Sequence, residues 1–167
     1  MNQNTLKKVI QWIAEHGIDA YCKKTIRHDL QIDEEFNLNG AHDVIRIILI
    51  DALNSAIRET GIETAKNPDE LFDVVLTFLE QLNDYKPAFQ KVFNRNTINL
   101  EYVKLAFIYD EITQVIFKPN IETFFDTVTY NIIMVNILYT WINDDTPDLS
   151  TVSNTINHIT TQIFNKN

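Results

Sequence analysis

Glycine and proline are so scarce in this chain, and so placed, that a sheet-based fold is hard to build from it. Its 167 residues hold 3 Gly (Gly17, Gly40 and Gly61) and 4 Pro (Pro68, Pro87, Pro119 and Pro147). Hairpins depend on tight turns in which Gly, Asn or Asp takes positive φ, flanked by alternating apolar residues. Asn39-Gly40 is followed instead by apolar residues three and four apart. That spacing recurs between all the breaks and is the mark of helices.

Leu6, Val9, Ile10 and Ile13 form a first stripe, with Gly17 as its C-terminal stop. A short helix is expected from about Lys23 to Leu30, and another near Glu34 to Leu38. Val44, Ile45, Ile48, Leu49, Ala52, Leu53, Ala56 and Ile57 mark a long helix that stops near Gly61. Asn67-Pro68-Asp69-Glu70 has the form of an N-cap, with Pro in the first helical position and acids in the first turn. Leu71, Phe72, Val75, Leu76, Leu79 and Leu82 continue that helix. Further helices are predicted from Pro87 to Phe93, from Leu100 to Phe117, from Ile121 to Asn143, and from Asp148 to about Ile163. The Leu100–Phe117 segment is apolar on nearly every face, so it is expected to be central. The fold class is therefore all-α, with about nine helices and no repeats.

Composition narrows the function. A hydrophobic fraction of 45% in a chain of this length suits one domain with a real core. A net charge of −9 opposes nonspecific binding to nucleic acid, which rewards clustered Lys and Arg. Cys22 is the one cysteine, so no internal disulfide forms and a reducing, cytoplasmic setting is expected. Met1 to Asn4 lead straight into an amphipathic pattern, so no secretory signal is expected. The uncharged stretch Thr127–Asn143 is too short to span a bilayer and is interrupted by Asn131, Asn136 and Asn143.

Catalytic and metal-binding patterns are missing from the sequence. His16, His28, His42 and His158 fall in neither a His-x-x-x-His nor a Glu-x-x-His spacing. Three scattered glycines cannot form a phosphate loop, and no Gly-x-Ser-x-Gly elbow occurs. Cys22 is expected to be a small buried thiol rather than the partner of His28. Among Asp144, Asp145 and Asp148, the last is expected to cap the final helix. No enzyme activity, cofactor or metal is anticipated.

The order of the N-terminal elements resembles bacterial one-component repressors of the TetR type. Val9-Ile10-Gln11-Trp12-Ile13-Ala14-Glu15-His16-Gly17-Ile18-Asp19-Ala20 looks like that family's opening helix, and Ile26 to Ile32 like its second helix and turn. The position of the DNA-reading helix holds Asp33-Glu34-Glu35-Phe36-Asn37-Leu38-Asn39, and no Lys or Arg lies between Arg27 and Arg46. Acids facing phosphates are repelled, so the reader is degenerate and nucleic-acid binding is not expected.

Near the C-terminus, Asp144-Asp145-Thr146-Pro147-Asp148-Leu149 resembles the Asp-Ser-Ser-Pro-Asp-Phe type motif of the accessory lipid-binding proteins of ubiquinone biosynthesis, the Coq-nine family. Asn39-Gly40-Ala41-His42-Asp43-Val44-Ile45 looks like that family's Gly-Gly-x-x-Asp-Leu segment. The family has a TetR-like fold with a decayed DNA-binding region, so one resemblance covers both ends. Two departures stand out. Thr123-Phe124-Phe125-Asp126-Thr127 keeps an aromatic but lacks the family's basic pair, which puts its partner-binding surface in doubt. The amphipathic membrane-binding helix of eukaryotic members has no counterpart here, so at most peripheral contact with the inner membrane face is expected.

The resemblance implies a degenerate helix-turn-helix part over residues 1–58 and a lipid-binding and dimerisation part over 59–167, in one unit. It further implies a bacterial, non-catalytic protein that presents an isoprenoid quinone intermediate, or another lipid, to the late-stage ubiquinone hydroxylase. A polyprenyl tail needs an apolar enclosure to leave a bilayer. Candidate lining residues are Phe72, Val75, Leu76, Leu79, Leu105, Ile108, Tyr109, Ile112, Phe125, Val128 and Ile132. Homodimer contacts are assigned by position to Met134, Leu138, Trp141, Ile142, Val152, Ile156, Ile159 and Ile163. The alternative is a TetR-type ligand-responsive regulator that keeps a DNA site. A gel-shift assay with the region upstream of its own gene is expected to show no retarded band at low salt; a band would favour the regulator.

Overall fold

The computed structural model describes residues 3–32, 40–93, 112–114, 116–117, 124–146 and 148–164. Among them there is no strand, residues 112–114 and 116 are helical, and seven further α-helices have both ends described. They are α1 (Gln3–His16), α2 (Lys23–Leu30), α3 (Ala41–Thr60), α4 (Pro68–Gln81), α5 (Lys86–Phe93), α6 (Phe124–Ile142) and α7 (Ser150–Phe164). Two 3-10 turns, Ile18–Ala20 and Asn83–Tyr85, join α1 to α2 and α4 to α5; both are too short to leave a periodic signal. The short helix expected near Glu34 to Leu38 lies outside the described residues, as does most of the Leu100–Phe117 segment. The described part of the latter is buried at Ile112, Ile116 and Phe117.

Helix ends follow local chemistry. The Gly17 N–H donates to the Ile13 carbonyl at 2.8 Å, and its φ of 96° then turns the chain out of α1. Gly61 closes α3 in the left-handed region, φ 70°, with its N–H on the Ile57 carbonyl. Asn67 caps α4 by accepting from the Glu70 N–H at 2.9 Å, while the Glu70 carboxylate accepts from the Lys66 N–H at 2.7 Å. This is the reciprocal logic of a capping box, moved out by one residue.

One buried cluster runs from Leu6 on α1 to Ile163 on α7. Within it α4 packs between α3 and α7; α7 also meets α6, and α1 lies on α3 and α5. The apolar stripes of α3 and α4 supply Val44, Ile45, Ile48, Leu71, Phe78 and Leu79, each at most 1% exposed. Side chains of this kind each contribute about 1.5–3 kcal/mol when removed from water. Trp12 is buried too and donates through Nε1 to the Asp29 carboxylate at 3.0 Å, tying α1 to α2.

The two helix-flanking glycines around α3 should respond differently to substitution. Gly61→Ala is expected to lose about 1 kcal/mol, because a Cβ there meets no atom within 4 Å and only the positive φ is penalised. Gly40 has an extended φ of −168° at the N-cap of α3, so Gly40→Ser should gain roughly a few tenths of a kcal/mol. Urea unfolding of both variants checks the contrast.

Candidate functional site

The corner between α6 and α7 is built around one carboxylate. Asp144 is 2% exposed. Its Oδ2 accepts from the Val152 N–H at 2.8 Å, and its Oδ1 from the Thr146 N–H at 3.0 Å and hydroxyl at 2.5 Å. Val152 lies in the first turn of α7, where N–H groups have no partner inside the helix. Thr146 Oγ1 and Asp148 Oδ1 both accept from the Ser150 N–H, at 3.0 and 3.2 Å. The cap expected from Asp148 alone is therefore shared, and its buried member is Asp144. Leu149, immediately before α7, takes a φ of 53°, a conformation in which a bulky residue is strained.

The other side of the corner ends α6. Gln90 Nε2 donates to the Ile142 carbonyl at 2.8 Å, and the Lys86 ammonium donates to the Asp144 carbonyl. Lys86 Nζ also stands 5.4 Å from the centroid of the Trp141 ring. A cation near the last carbonyls of a helix is favourably placed. Burial pushes the Asp144 carboxyl up; the Thr146 hydroxyl, the Val152 and Thr146 N–H groups and the Lys86 charge outweigh it and hold it below its ordinary 3.8.

These residues wall a cleft of about 510 Å³ lined by Glu80, Asn83, Lys86, Pro87, Gln90, Asp144, Asp145, Thr146, Asp148 and Leu149. Its wall is mainly polar and charged, and the groups of Asp144 and Lys86 are engaged in holding the corner. Among the described residues no set of three or more His, Cys, Asp or Glu gathers to hold a metal ion.

The predicted apolar lining divides in two. Val75, Leu79 and Ile112 are buried in the common core, with Phe72 and Leu76 half-buried against it. Val128 and Ile132 stand on the outer side of α6, 40% and 63% exposed. Leu105, Ile108 and Tyr109 lie outside the described residues, as does the side chain of Phe125.

The residues assigned to a dimer contact lie largely within the core of the protomer. Met134, Leu138, Trp141, Ile142, Val152, Ile156 and Ile163 are buried inside the protomer, and Ile159 is half-buried against the same core. They fasten α6 and α7 to each other and to the rest of the chain. Sequence reasoning passed over Tyr139, 53% exposed and seven residues beyond Ile132 on the outer side of α6. Periodicity alone could not find it, because α6 is apolar around most of its circumference.

Cys22 also departs from expectation: it is exposed. It precedes α2, a helix whose one buried residue is Ile26, so there is no core to receive it. The neighbouring Thr25 N–H and hydroxyl, and the Lys24 N–H, favour the thiolate and hold the Cys22 thiol below its ordinary value despite slight desolvation. His28 faces Asp29 at 3.3 Å.

Gln114 and Phe117 meet α6. Gln114 Nε2 donates to Thr127 Oγ1 at 3.4 Å, and the Phe117 and Tyr130 rings stack at 4.7 Å. Thr113 Oγ1, Asn131 Oδ1 and Trp141 Nε1 are buried without a hydrogen-bond partner among the described residues. None of the described helices is long and apolar enough to cross a membrane.

No family model, curated protein sequence or solved structure matches the chain.

Asp144→Ala is expected to lower stability by about 2–3 kcal/mol, since it strands the Val152 N–H and unties Thr146. Because the folded carboxyl titrates below its unfolded value, its contribution is complete above about pH 4 and is lost as pH falls through the lower folded value. Denaturant titrations from pH 7 to pH 2 should therefore show a shallower acid loss in Asp144→Asn than in the parent.

Proposed function

We propose that this chain is a non-catalytic lipid-binding accessory protein, similar in kind to the Coq-nine family, that takes up an isoprenoid quinone intermediate for a hydroxylase acting late in ubiquinone synthesis. The observation that carries the reading is the apolar surplus on α6. Val128, Ile132 and Tyr139 are exposed there although the opposite faces already fill the core. Val128 and Ile132 lie four residues apart, and Tyr139 seven further on, so they form one stripe along the helix. Apolar side chains aligned on one exposed helix face offer a surface on which an apolar ligand or partner can settle.

The Asp144–Leu149 corner adds support of a different kind. The acids and threonine that carry the family resemblance cap α7 and tie it to α6, and so fix the angle at which α6 presents its outer face. A carrier needs a stable apolar surface and no reactive group, which agrees with the engaged state of Asp144. Residues 33–39, the segment most relevant to a DNA-binding regulator, are acidic.

The test is mass spectrometry of the organic molecules released when the purified protein is denatured. An isoprenoid quinone or phospholipid near one per chain or per dimer is the expected result. A folded protein that releases no lipid refutes the carrier reading. Ile132→Lys, which puts a charge in the middle of the stripe, should reduce the recovered lipid severalfold while leaving the unfolding midpoint within about 2 °C.

A further inference from the structure

The outer face of α6 carries a pattern for which the protomer's own core has no use. Met134, Ile137 and Trp141 turn inward and are buried. Val128, Ile132 and Tyr139 are exposed, and Val135 is half-buried beside them. At about 100° per residue these four positions fall within an arc of roughly 60°, so they form one line along the helix. Their successive separations are 4, 3 and 4 residues, the a/d spacing with which two helices pair.

The order 4, 3, 4 reads the same from either end, and this symmetry selects the occupant. Place a second α6 antiparallel to the first, across a two-fold axis midway between Ile132 and Val135. Ile132 then meets the partner's Val135, and Val128 meets the partner's Tyr139. Every apolar residue of the seam finds an apolar opposite number, as an isologous contact requires.

Charge points the same way. The chain carries −9 overall, and net charge of this size keeps copies apart wherever acids face each other. From Thr127 to Asn143 there is no charged residue. Beside the seam stand Thr129 and Asn136, both exposed and both neutral. Two copies therefore approach along α6 without setting carboxylates against carboxylates.

We propose that the outer face of α6 is a self-association surface, on which two copies pair α6 to α6 antiparallel through Val128, Ile132, Val135 and Tyr139. The 19 residues of α6 make a helix about 28 Å long. Its four seam positions are far fewer than the roughly 20–30 residues a side of a standard interface, so the pair is reversible. The inference goes beyond the lipid-binding reading and stands without it; a lipid on the same stripe competes with the second copy.

The test is sedimentation equilibrium of the full chain, freed of any bound lipid, from about 1 μM to about 1 mM. A monomer–dimer equilibrium with a dissociation constant on the order of 100 μM is expected. Ile132→Lys sets two like charges beside the axis and should weaken it at least about tenfold. A parent that stays monomeric over that range, or a variant that dimerises as well as the parent, overturns the proposal. The register is read by oxidation in a Cys22→Ser background. Val128→Cys/Tyr139→Cys should yield a covalent dimer. Val128→Cys alone should not, because its two copies stand about 11 residues, roughly 16 Å, apart, beyond the reach of a disulfide. A single variant that cross-links while the double variant does not refutes the antiparallel pairing. Released lipid is read separately: a monomeric protein that releases lipid loses this contact alone, and a dimer that releases none loses the lipid-binding reading alone.

Discussion

The carboxylate of Asp144 sits, almost fully buried, where α5, α6 and α7 converge. It receives the first-turn N–H of Val152 and both the N–H and hydroxyl of Thr146. Lys86 approaches the same residue from α5 and donates to its carbonyl. A buried charge is tolerated only when nearly every lone pair is engaged, and here the engaging groups come from Thr146 in the corner and from the first turn of α7. The orientation of α7 on α6, and through α7 the covering of α4, depends on this junction.

The junction also explains how α6 can be apolar around so much of its surface. Its inner face gives Met134, Ile137, Leu138 and Trp141 to the core, and α7 closes over part of the remainder with Val152 and Ile156. What is left over is the outer stripe of Val128, Ile132 and Tyr139.

Much of the fold was legible in local chemistry. Asn67, Pro68 and Glu70 announce the start of α4 without reference to any other part of the chain, and Gly17 and Gly61 announce ends that only a residue tolerant of positive φ takes easily. The 3-10 turns were not legible, since three residues carry no period. The division of α6 into inner and outer faces was not legible either. When nearly all positions are apolar, the hydrophobic pattern loses the contrast that assigns a face. Cys22 was misread for the related reason that a thiol's burial depends on what lies above it, which no local pattern records.

The sequence by itself determined that the chain is helical, where most helices begin and end, and that α3 and α4 each carry an apolar stripe for a core. These follow from φ preferences, capping groups and three-to-four spacing, which act over a single turn or two. Only the tertiary structure decided that Asp144 rather than Asp148 is the buried cap, that Trp141 and Met134 lie inside the protomer, and that the Thr113 hydroxyl is buried without a partner among the described residues. Those outcomes depend on which elements pack together across long stretches of chain, and burial and hydrogen-bond satisfaction are properties of that packing rather than of any one segment.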